Sequence, residues 1–181
     1  MRPITLATVG VLTVLSLSLC LQAMAANEFY ITINGQKQGQ FKGEGRQNQI
    51  VGVGFQYEVT SPRDAATGQA TGRRMHKPVV ITKEWDAASP QLFQALVTNE
   101  NLPHVDLQFV RTAPDGREEA FYTIKLTNAT ITSIRQYTGV LPGATNAADI
   151  HQLEEVSFTF QKIEVESTIG KTMATDDWLQ Q

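Results

Sequence analysis

The chain is poor in the residues from which many active and metal sites are built. Among its 181 residues there is one cysteine, Cys20, and it lies in an apolar N-terminal stretch. Without that stretch the chain has no cysteine, which excludes a disulfide, a cysteine-ligated zinc site and a thiol nucleophile. The sequence also contains no Gly-x-Ser-x-Gly elbow, no phosphate-binding loop and no zincin helix.

Histidine is scarce as well, and the paired carboxylates are not arranged for acid–base catalysis. The three histidines, His76, His104 and His151, lie on separate segments without close helical or strand spacing. Glu154 and Glu155 are neighbours, and neighbouring side chains on a strand point to opposite faces. We therefore predict that the protein is not an enzyme, and that it has neither a metal site nor a cofactor.

An excess of positive charge is also missing. The formal net charge is −3, whereas a nucleic-acid-binding domain normally presents a basic surface. A local basic cluster does surround one long loop and consists of Arg63, Arg73, Arg74, His76 and Lys77. Asp64 interrupts this cluster, and no aromatic residue for base stacking lies within it. We therefore predict protein–protein contact at this loop and no nucleic-acid binding.

Residues 1–25 have the organisation of a secretory signal peptide. Arg2 precedes an apolar stretch at residues 4–21, and Ala23, Met24 and Ala25 form an A-x-A cleavage site. The alternative is a membrane anchor that stays attached, but the apolar stretch has a borderline length and no basic cluster follows it. We expect cleavage after Ala25, export to the periplasm or the medium, and no stable membrane anchor afterwards.

The remaining residues, 26–181, suit one domain in which apolar and polar residues alternate over several segments. Residues 28–33 alternate and meet Asn34 and Gly35, a dipeptide typical of hairpin turns. Further strands are predicted at residues 105–109, 119–126, 129–137 and 151–167. In the last of these the alternation slips by one residue, which predicts a β-bulge near Gln161 and Lys162. The tail from residue 168 is predicted to be a short extension.

Residues 50–60 form another alternating segment. The pattern places one set of side chains towards the core: Val51, Val53, Phe55, Tyr57 and Val59. The opposite set contains Gly52 and Gly54, and such paired glycines indicate a bend or a close approach of two backbones. This segment is therefore predicted to form a bent strand at a corner of the fold.

Only one segment has convincing helical spacing. Ser89 is predicted to be its N-cap, with Pro90 at the first helical position. The apolar stripe of this helix consists of Leu92, Phe93, Leu96 and Val97. Together these patterns predict an all-β fold with one short helix, in the form of a small antiparallel β-barrel or a two-sheet sandwich.

The extended loop at residues 61–76 has no periodicity and only one large apolar residue, Met75. Long loops within compact domains are usually functional or disordered. This one buries too little apolar surface to offset its ordering entropy unless a partner orders it. We expect it to contact other copies and to contribute little to folding. The acidic pair Asp176 and Asp177 in the tail is one candidate partner for its arginines.

Three segments carry a family resemblance that covers roughly residues 28–179. The first, residues 73–93, reads Arg-x-x-His-Lys-Pro, then an apolar run with Thr-Lys, and then a Ser-Pro-x-Leu-Phe helix. The others are the long loop at residues 61–72 and the final long strand at residues 154–163. These segments resemble the Hcp family, the tube protein of bacterial type VI secretion.

The resemblance implies a β-barrel that assembles into hexameric rings, which stack into a hollow tube. Such a tube is a conduit or a projectile shaft, and its lumen is expected to carry a small effector protein as cargo. Secretion-system spike and sheath proteins are further implied partners. We assign the ring-stacking interface to the following candidates: Arg63, Asp64, Arg73, Arg74, His76, Lys77, Asp176 and Asp177.

Two other functions are compatible with an exported β-protein. A periplasmic carbohydrate- or peptide-binding β-sandwich would be monomeric and would need an aromatic-lined cleft. A small exported hydrolase would need a convergent triad or a metal. The aromatic residues of this chain mostly alternate into predicted core positions, and no triad is evident, so we favour the assembling protein.

Overall fold

The computed structural model describes residues 28–146 and 148–180, so the predicted leader lies outside the described residues. The prediction of an all-β fold with one short helix is confirmed. The twelve strands are β1 Phe29–Gly35, β2 Gly39–Gln40, β3 Ile50–Gly52, β4 Gly54–Gln56, β5 Val59–Thr60, β6 Met75–His76, β7 Val79–Glu84, β8 Leu102–Thr112, β9 Glu118–Gly139, β10 His151–Thr159, β11 Lys162–Ser167 and β12 Thr172–Asp177. The helix is α1, Ser89–Val97.

The large strands form two antiparallel sheets that share β9. In one sheet the order is β3-β1-β8-β9-β11-β12, and in the other it is β9-β10-β7-β4. Buried side chains of both sheets belong to one core, for example Ile31 and Leu107 from the first and Ile81 and Val156 from the second. The barrel-like sandwich is therefore held by a single hydrophobic core.

The chain crosses from one sheet to the other at three places: within β9, between β10 and β11, and between β3 and β4. The predicted strands at 119–126 and 129–137 are one continuous strand, β9, and the prediction of a break there is wrong. Asn128 has a φ of 50° at the bend, a left-handed conformation that asparagine tolerates better than most residues. The alternation of buried residues slips between Phe160 and Ile163, where β10 ends and β11 begins, but both strands keep the same register on β9. The β-bulge lies between Ser157 and Phe158, so the position predicted for it near Gln161 is wrong. The third bend joins β3 to β4.

The buried parity of β3 is opposite to the predicted one, because Ile50 and Gly52 lie opposite the buried Ile31 and Phe29 of β1. Ile50 and Gly52 are buried, whereas Phe55 and Val59 are exposed, so the predicted core face is wrong. Gly52 lies directly against the ring of Phe29, and a Cβ atom there would overlap that ring. The glycine therefore marks a close approach within the core, while Tyr57 packs partly against the core and Phe55 and Val59 lie outside it.

The first hairpin also differs from the sequence prediction. Asn34 and Gly35 do not form its turn, because β1 continues to Gly35 and the turn consists of the three residues that follow. The buried carboxylate of Glu100 accepts hydrogen bonds from the backbone N–H groups of Lys37 (2.6 Å) and Gln38 (2.9 Å). A distant side chain thus determines where this turn lies.

Helix α1 packs on the core through a narrower stripe than predicted. Leu92 and Ala95 are buried and Leu96 is partly buried, but Phe93 and Val97 are 58% and 54% exposed. Ser89 is not the N-cap, because the capping position belongs to Ala88 and Ser89 is already helical. Phe93 and Val97 form an apolar ridge on the outside of the helix.

A buried ion pair lies beneath the start of α1. Lys83 Nζ is 2.9 Å from Glu154 Oε1 and 2.7 Å from Asp86 Oδ1, and the Lys83 and Glu154 side chains are both fully buried. The hydroxyl group of Ser89 donates to the same Glu154 oxygen over 2.7 Å. Buried charges are tolerated when they are paired and hydrogen-bonded, and here they join β7, β10 and the helix.

The tail is not a simple extension, because β12 pairs with β11 along its whole length. Within residues 28–146 and 148–180, no helix is long and apolar enough to cross a membrane.

Candidate assembly interface

The long loop is an ordered ribbon that projects from the core. At its base β5 pairs with β6, and further out Arg63 forms an isolated bridge with Ala70. At its tip the Asp64 carboxylate accepts hydrogen bonds from the N–H groups of Ala66 (3.0 Å) and Thr67 (2.7 Å). The hydrogen bonds from Thr67, followed by that from Ala66, lower the pKa of Asp64.

These bonds give the exposed loop a defined turn at its tip. Residues 61–73 are exposed except for the half-buried Pro62, so burial contributes little, as the composition predicted. The Asp64 turn replaces burial as the source of order. Loop composition alone does not show such a side-chain-to-backbone network, and the expectation that another copy contacts the loop stays a prediction.

Two arginines of the ribbon remain without an acidic partner inside the described part of the chain. Arg63 donates a hydrogen bond to the carbonyl oxygen of Gly68 over 3.2 Å. Neither Arg63 nor Arg73 forms an ion pair with a described carboxylate, and both residues are exposed. The ribbon therefore presents uncompensated positive charge to its surroundings.

The base of the ribbon is joined to the last strand by a compact polar cluster. The Arg74 Nε group donates to Asp176 Oδ2, and Arg74 also donates to the backbone oxygen of Asp177 over 2.9 Å. His76 Nε2 lies 2.7 Å from the same Asp176 oxygen. The hydrogen bond from Arg74, together with that from His76, lowers the pKa of Asp176.

His76 is held on both sides of its ring. A carboxylate only accepts, so Nε2 carries the proton that faces Asp176, and in the neutral ring Nδ1 accepts the hydroxyl proton of Tyr57 at 2.5 Å. The rings of Trp178 and Phe160 lie 5.3 and 5.5 Å from the imidazole. Burial, followed by the negative charge of Asp176, raises the pKa of Tyr57.

The structure thus divides the predicted interface residues into three groups. Arg74, His76, Asp176 and Asp177 meet in the base cluster, so the predicted arginine–tail pairing occurs within one chain. Arg63, Asp64 and Arg73 lie on the projecting ribbon. Lys77 is separate and pairs with Glu58 over 2.8 Å.

Sequence reasoning missed the aromatic members of the base cluster: Tyr57, Phe160 and Trp178. Their positions in the sequence give no signal, because the cluster forms only when β4, β6, β10 and β12 come together. The other histidines lie elsewhere, and His151 Nδ1 is 2.5 Å from Glu84. Among the described residues, no three His, Cys, Asp or Glu side chains converge in an arrangement that suits a metal ion.

Known proteins match this chain both in sequence and in fold. The profile of a family described as "Type VI secretion system effector, Hcp" matches residues 30–166. The chain belongs to the Hcp family. A curated relative, the "Major exported protein" of Pseudomonas aeruginosa, is 40% identical over 166 residues, which is 84% of this chain and 96% of the relative.

Solved Hcp structures have the same fold. One, described as "Crystal structure of Hcp protein", is 32% identical, with a TM-score of 0.75 and coverage of 84% of this chain and all of that one (100%). The secreted protein Hcp3 of Pseudomonas aeruginosa is 34% identical, with a TM-score of 0.68 and coverage of 83% of this chain and 97% of that one.

Family membership confirms the predicted role. This Hcp chain is a structural protein of type VI secretion, a tube protein. The alternative prediction, an exported carbohydrate- or peptide-binding sandwich, has no support among these relatives. The ordered ribbon and the base cluster are therefore features of a protein that works by assembling.

Proposed function

We propose that the mature domain, residues 26–181, forms rings of six copies, and that the rings stack into a tube through the projecting ribbon. The tube acts mechanically and without catalysis. Like the relative named for its export, the chain leaves the cytoplasm, and residues 1–25 are removed as a leader. Small effector proteins travel in the lumen, and spike and sheath proteins contact the tube from outside.

The observation that carries this proposal is the ribbon with its two unpaired arginines. The ribbon is ordered by its own hydrogen bonds, so a neighbouring ring loses little entropy in binding it. Arg63 and Arg73 are exposed and have no described carboxylate to pair with. A planar guanidinium group forms bidentate hydrogen bonds with carboxylates, and arginine is favoured at protein interfaces.

Open sheet edges support ring closure. Among the described strands, β12 pairs only with β11, and β4 pairs only with β7. An edge strand is a ready template for pairing with another chain. Two different edges on one protomer permit a head-to-tail interface, which closes into a ring when the rotation between neighbours allows it.

The charge of the ribbon is tested by Arg73→Glu, with Arg63→Glu as a second variant and Lys42→Glu as the control. Lys42 is exposed, forms no described ion pair and undergoes the same change in charge. We expect the two arginine variants to keep the melting temperature and the ring mass seen by light scattering, but to give short tubes or none by electron microscopy. The control should form normal tubes.

Replacement of residues 66–71 by a short Gly-Ser link tests the ribbon as a whole. The rings should persist and stacking should fail, because the removed residues are exposed and contribute no core contact. Tubes of normal length in this variant would show that the ribbon has no part in stacking. A monomer of normal stability in every variant, and at every concentration, would refute the six-membered ring itself.

A further inference from the structure

A groove of about 280 Å³ at the end of β7 combines acidic side chains with an exposed tryptophan, and we call it the Trp85 groove. Its apolar part consists of Val51, Val53, Leu141 and the ring of Trp85, which is 48% exposed. The Nε1 group of Trp85 donates to the carbonyl oxygen of Leu153 over 3.0 Å, so the ring is held in place. The groove therefore presents a fixed aromatic face to its surroundings.

Two carboxylates that line this groove have no counter-ion. Within the described residues, only three exposed acidic side chains lie beyond ion-pair distance of every Lys, Arg and His side chain: Glu28, Glu44 and Asp64. Asp64 belongs to the ribbon and bonds to its own turn, whereas Glu28 and Glu44 both line the groove. Glu84, which also lines the groove, contacts His151. The unpaired exposed carboxylates outside the ribbon are thus concentrated in one place.

The unpaired arginines of the ribbon complement this groove in charge and in shape. Arg63 and Arg73 are exposed and have no ion-pair partner within the described part of the chain. A guanidinium group forms bidentate hydrogen bonds with a carboxylate and also stacks on the face of a tryptophan ring. The groove offers both kinds of contact, because Glu28 and Glu44 line it together with Trp85.

The ribbon and the groove lie at opposite ends of β7. Strand β6, at the base of the ribbon, comes directly before β7, whereas Glu84, Trp85 and Asp86 of the groove lie at its other end. At about 3.3 Å per residue, the 6 residues of β7 separate the two by roughly 20 Å. Copies displaced along β7 bring the ribbon of one to the groove of the next. A contact between two different surfaces at opposite ends of a protomer repeats from copy to copy, as a stack of rings requires.

We propose that the ribbon of one ring docks into the Trp85 groove of the next ring, where Arg63 and Arg73 pair with Glu28 and Glu44. One of the two guanidinium groups stacks on the Trp85 ring. This inference rests on the proposed function, since it names the surface that receives the ribbon. Each copy gives one ribbon and receives another, so the same contact joins every pair of rings, and it compensates both sets of unpaired charges at once.

Complementation between two charge-reversed chains, both processed to begin at Ala26, tests the docking. The ribbon-reversed chain carries Arg63→Glu and Arg73→Glu, and the groove-reversed chain carries Glu28→Arg and Glu44→Arg. Each chain alone places like charges at the contact, so we expect its tubes to be at least about tenfold shorter than wild type by electron microscopy. An equimolar mixture of the two kinds of ring should restore tubes, because each ribbon then faces a groove of opposite charge. Melting temperature and ring mass should stay unchanged, because all four residues are exposed.

A matched pair of single substitutions identifies the groove as the docking surface. Glu44→Arg should shorten the tubes, whereas Glu166→Arg should not, because Glu166 also forms no described ion pair but lies on β11 outside the groove. A chain that begins at Glu28 should stack like the processed chain. Longer tubes on removal of Ala26 and Asn27 would overturn the docking, because those residues would then occupy the groove.

The two charge-reversed chains separate failure of this inference from failure of the proposed function. Normal tubes from the groove-reversed chain would overturn docking in the groove and leave the role of the ribbon intact. Normal tubes from the ribbon-reversed chain would instead refute stacking through the ribbon. A mixture that gives no tubes would also overturn the docking, because opposite charge at these positions would then fail to restore the contact.

Discussion

His76 and Asp176 share a hydrogen bond of 2.7 Å between Nε2 and Oδ2, although they lie 100 residues apart in the sequence. The bond joins the base of the projecting ribbon to the last strand of the sheet. Arg74 donates to the same carboxylate oxygen, so Asp176 holds two residues at the base of the ribbon. The base of the ribbon is therefore attached to the last strand, even though the residues further out along the ribbon are exposed.

Asp176→Asn should loosen this connection. The amide retains one acceptor oxygen but loses the charge that strengthens the bond from Arg74. We expect a loss of roughly 1–3 kcal/mol in unfolding free energy, measured by urea denaturation. Asp177→Asn is the control, because Arg74 contacts only the backbone oxygen of Asp177 and that atom is unchanged. Equal losses in the two variants would contradict a specific role for Asp176.

The same contact should make stability depend on pH in the acid range. The pKa of Asp176 is lower in the folded chain than its ordinary value, chiefly because of Arg74. Its contribution is therefore fully present above the ordinary aspartate pKa of about 3.9 and is lost as the pH falls through the lower folded value. The difference in urea midpoint between wild type and Asp176→Asn should shrink below about pH 4. A constant difference down to strong acid would rule out this linkage.

Removing one partner of the buried pair Lys83 and Glu154 should lower the free energy of unfolding much more than replacing both partners with apolar residues. Lys83→Met leaves the Glu154 carboxylate buried with Ser89 and Gln136 as its remaining side-chain donors. We expect a loss of ~3–5 kcal/mol. The double variant Lys83→Met with Glu154→Leu removes the charges of both fully buried partners and should recover part of that loss. Asp86 loses its bond to Lys83 in both variants and keeps the N–H donor of Ala88. A double variant as unstable as the sum of the two single variants would show that the charges do not act as a pair.

When a side chain of α1 is truncated to alanine, the loss of stability should follow how buried that side chain is, and not its position in the helical repeat. Leu92→Ala removes a fully buried side chain and should cost ~2–5 kcal/mol, while Phe93→Ala on the exposed ridge should change stability by less than about 0.5 kcal/mol. Leu96→Ala should give an intermediate loss, because Leu96 is partly buried. Urea midpoints rank the three variants. A large loss for Phe93→Ala would place the ridge in the core.

Gly52 and Phe29 provide a test of the close approach at the corner of the fold. Gly52→Ala should destabilise the protein by roughly 1–3 kcal/mol, because its Cβ atom would overlap the Phe29 ring. In a Phe29→Leu background the same substitution should cost less, since the smaller side chain leaves room. A double-mutant cycle measured by thermal or urea unfolding gives the coupling. An absence of coupling would mean that the bend, and not the contact, requires glycine.

Much of the fold was accessible from local pattern. Phe29, Ile31 and Ile33 alternate in the sequence and are all buried in β1. The helix after Asp86 was also located correctly, as was the change in buried parity between Phe160 and Ile163, because periodicity reflects which face of a strand or helix is apolar. The β-bulge itself lies earlier, between Ser157 and Phe158. The loop was recognised as exposed for the same reason, since its residues offer almost no apolar surface to bury.

Local pattern failed where a distant residue determines the outcome. The first turn lies beyond Asn34 and Gly35 because the Glu100 carboxylate holds the next backbone amides. The parity of β3 is set by its pairing with β1, where Gly52 lies opposite the buried Phe29 and a larger side chain would overlap the Phe29 ring. Phe93 has the spacing of a core residue, yet the underlying strands cover only Leu92, Ala95 and part of Leu96.

The sequence by itself determined the class of fold, its family and the exposed character of the ribbon, since these follow from composition, periodicity and short motifs. The tertiary structure alone decided that Asp176 pairs with Arg74 and His76 of its own chain, while Arg63 and Arg73 keep no described acidic partner. The physical reason is the short distance over which these contacts act. Charge-assisted hydrogen bonds act over about 3 Å, and residues distant in sequence reach that separation only when the sheets bring their strands together.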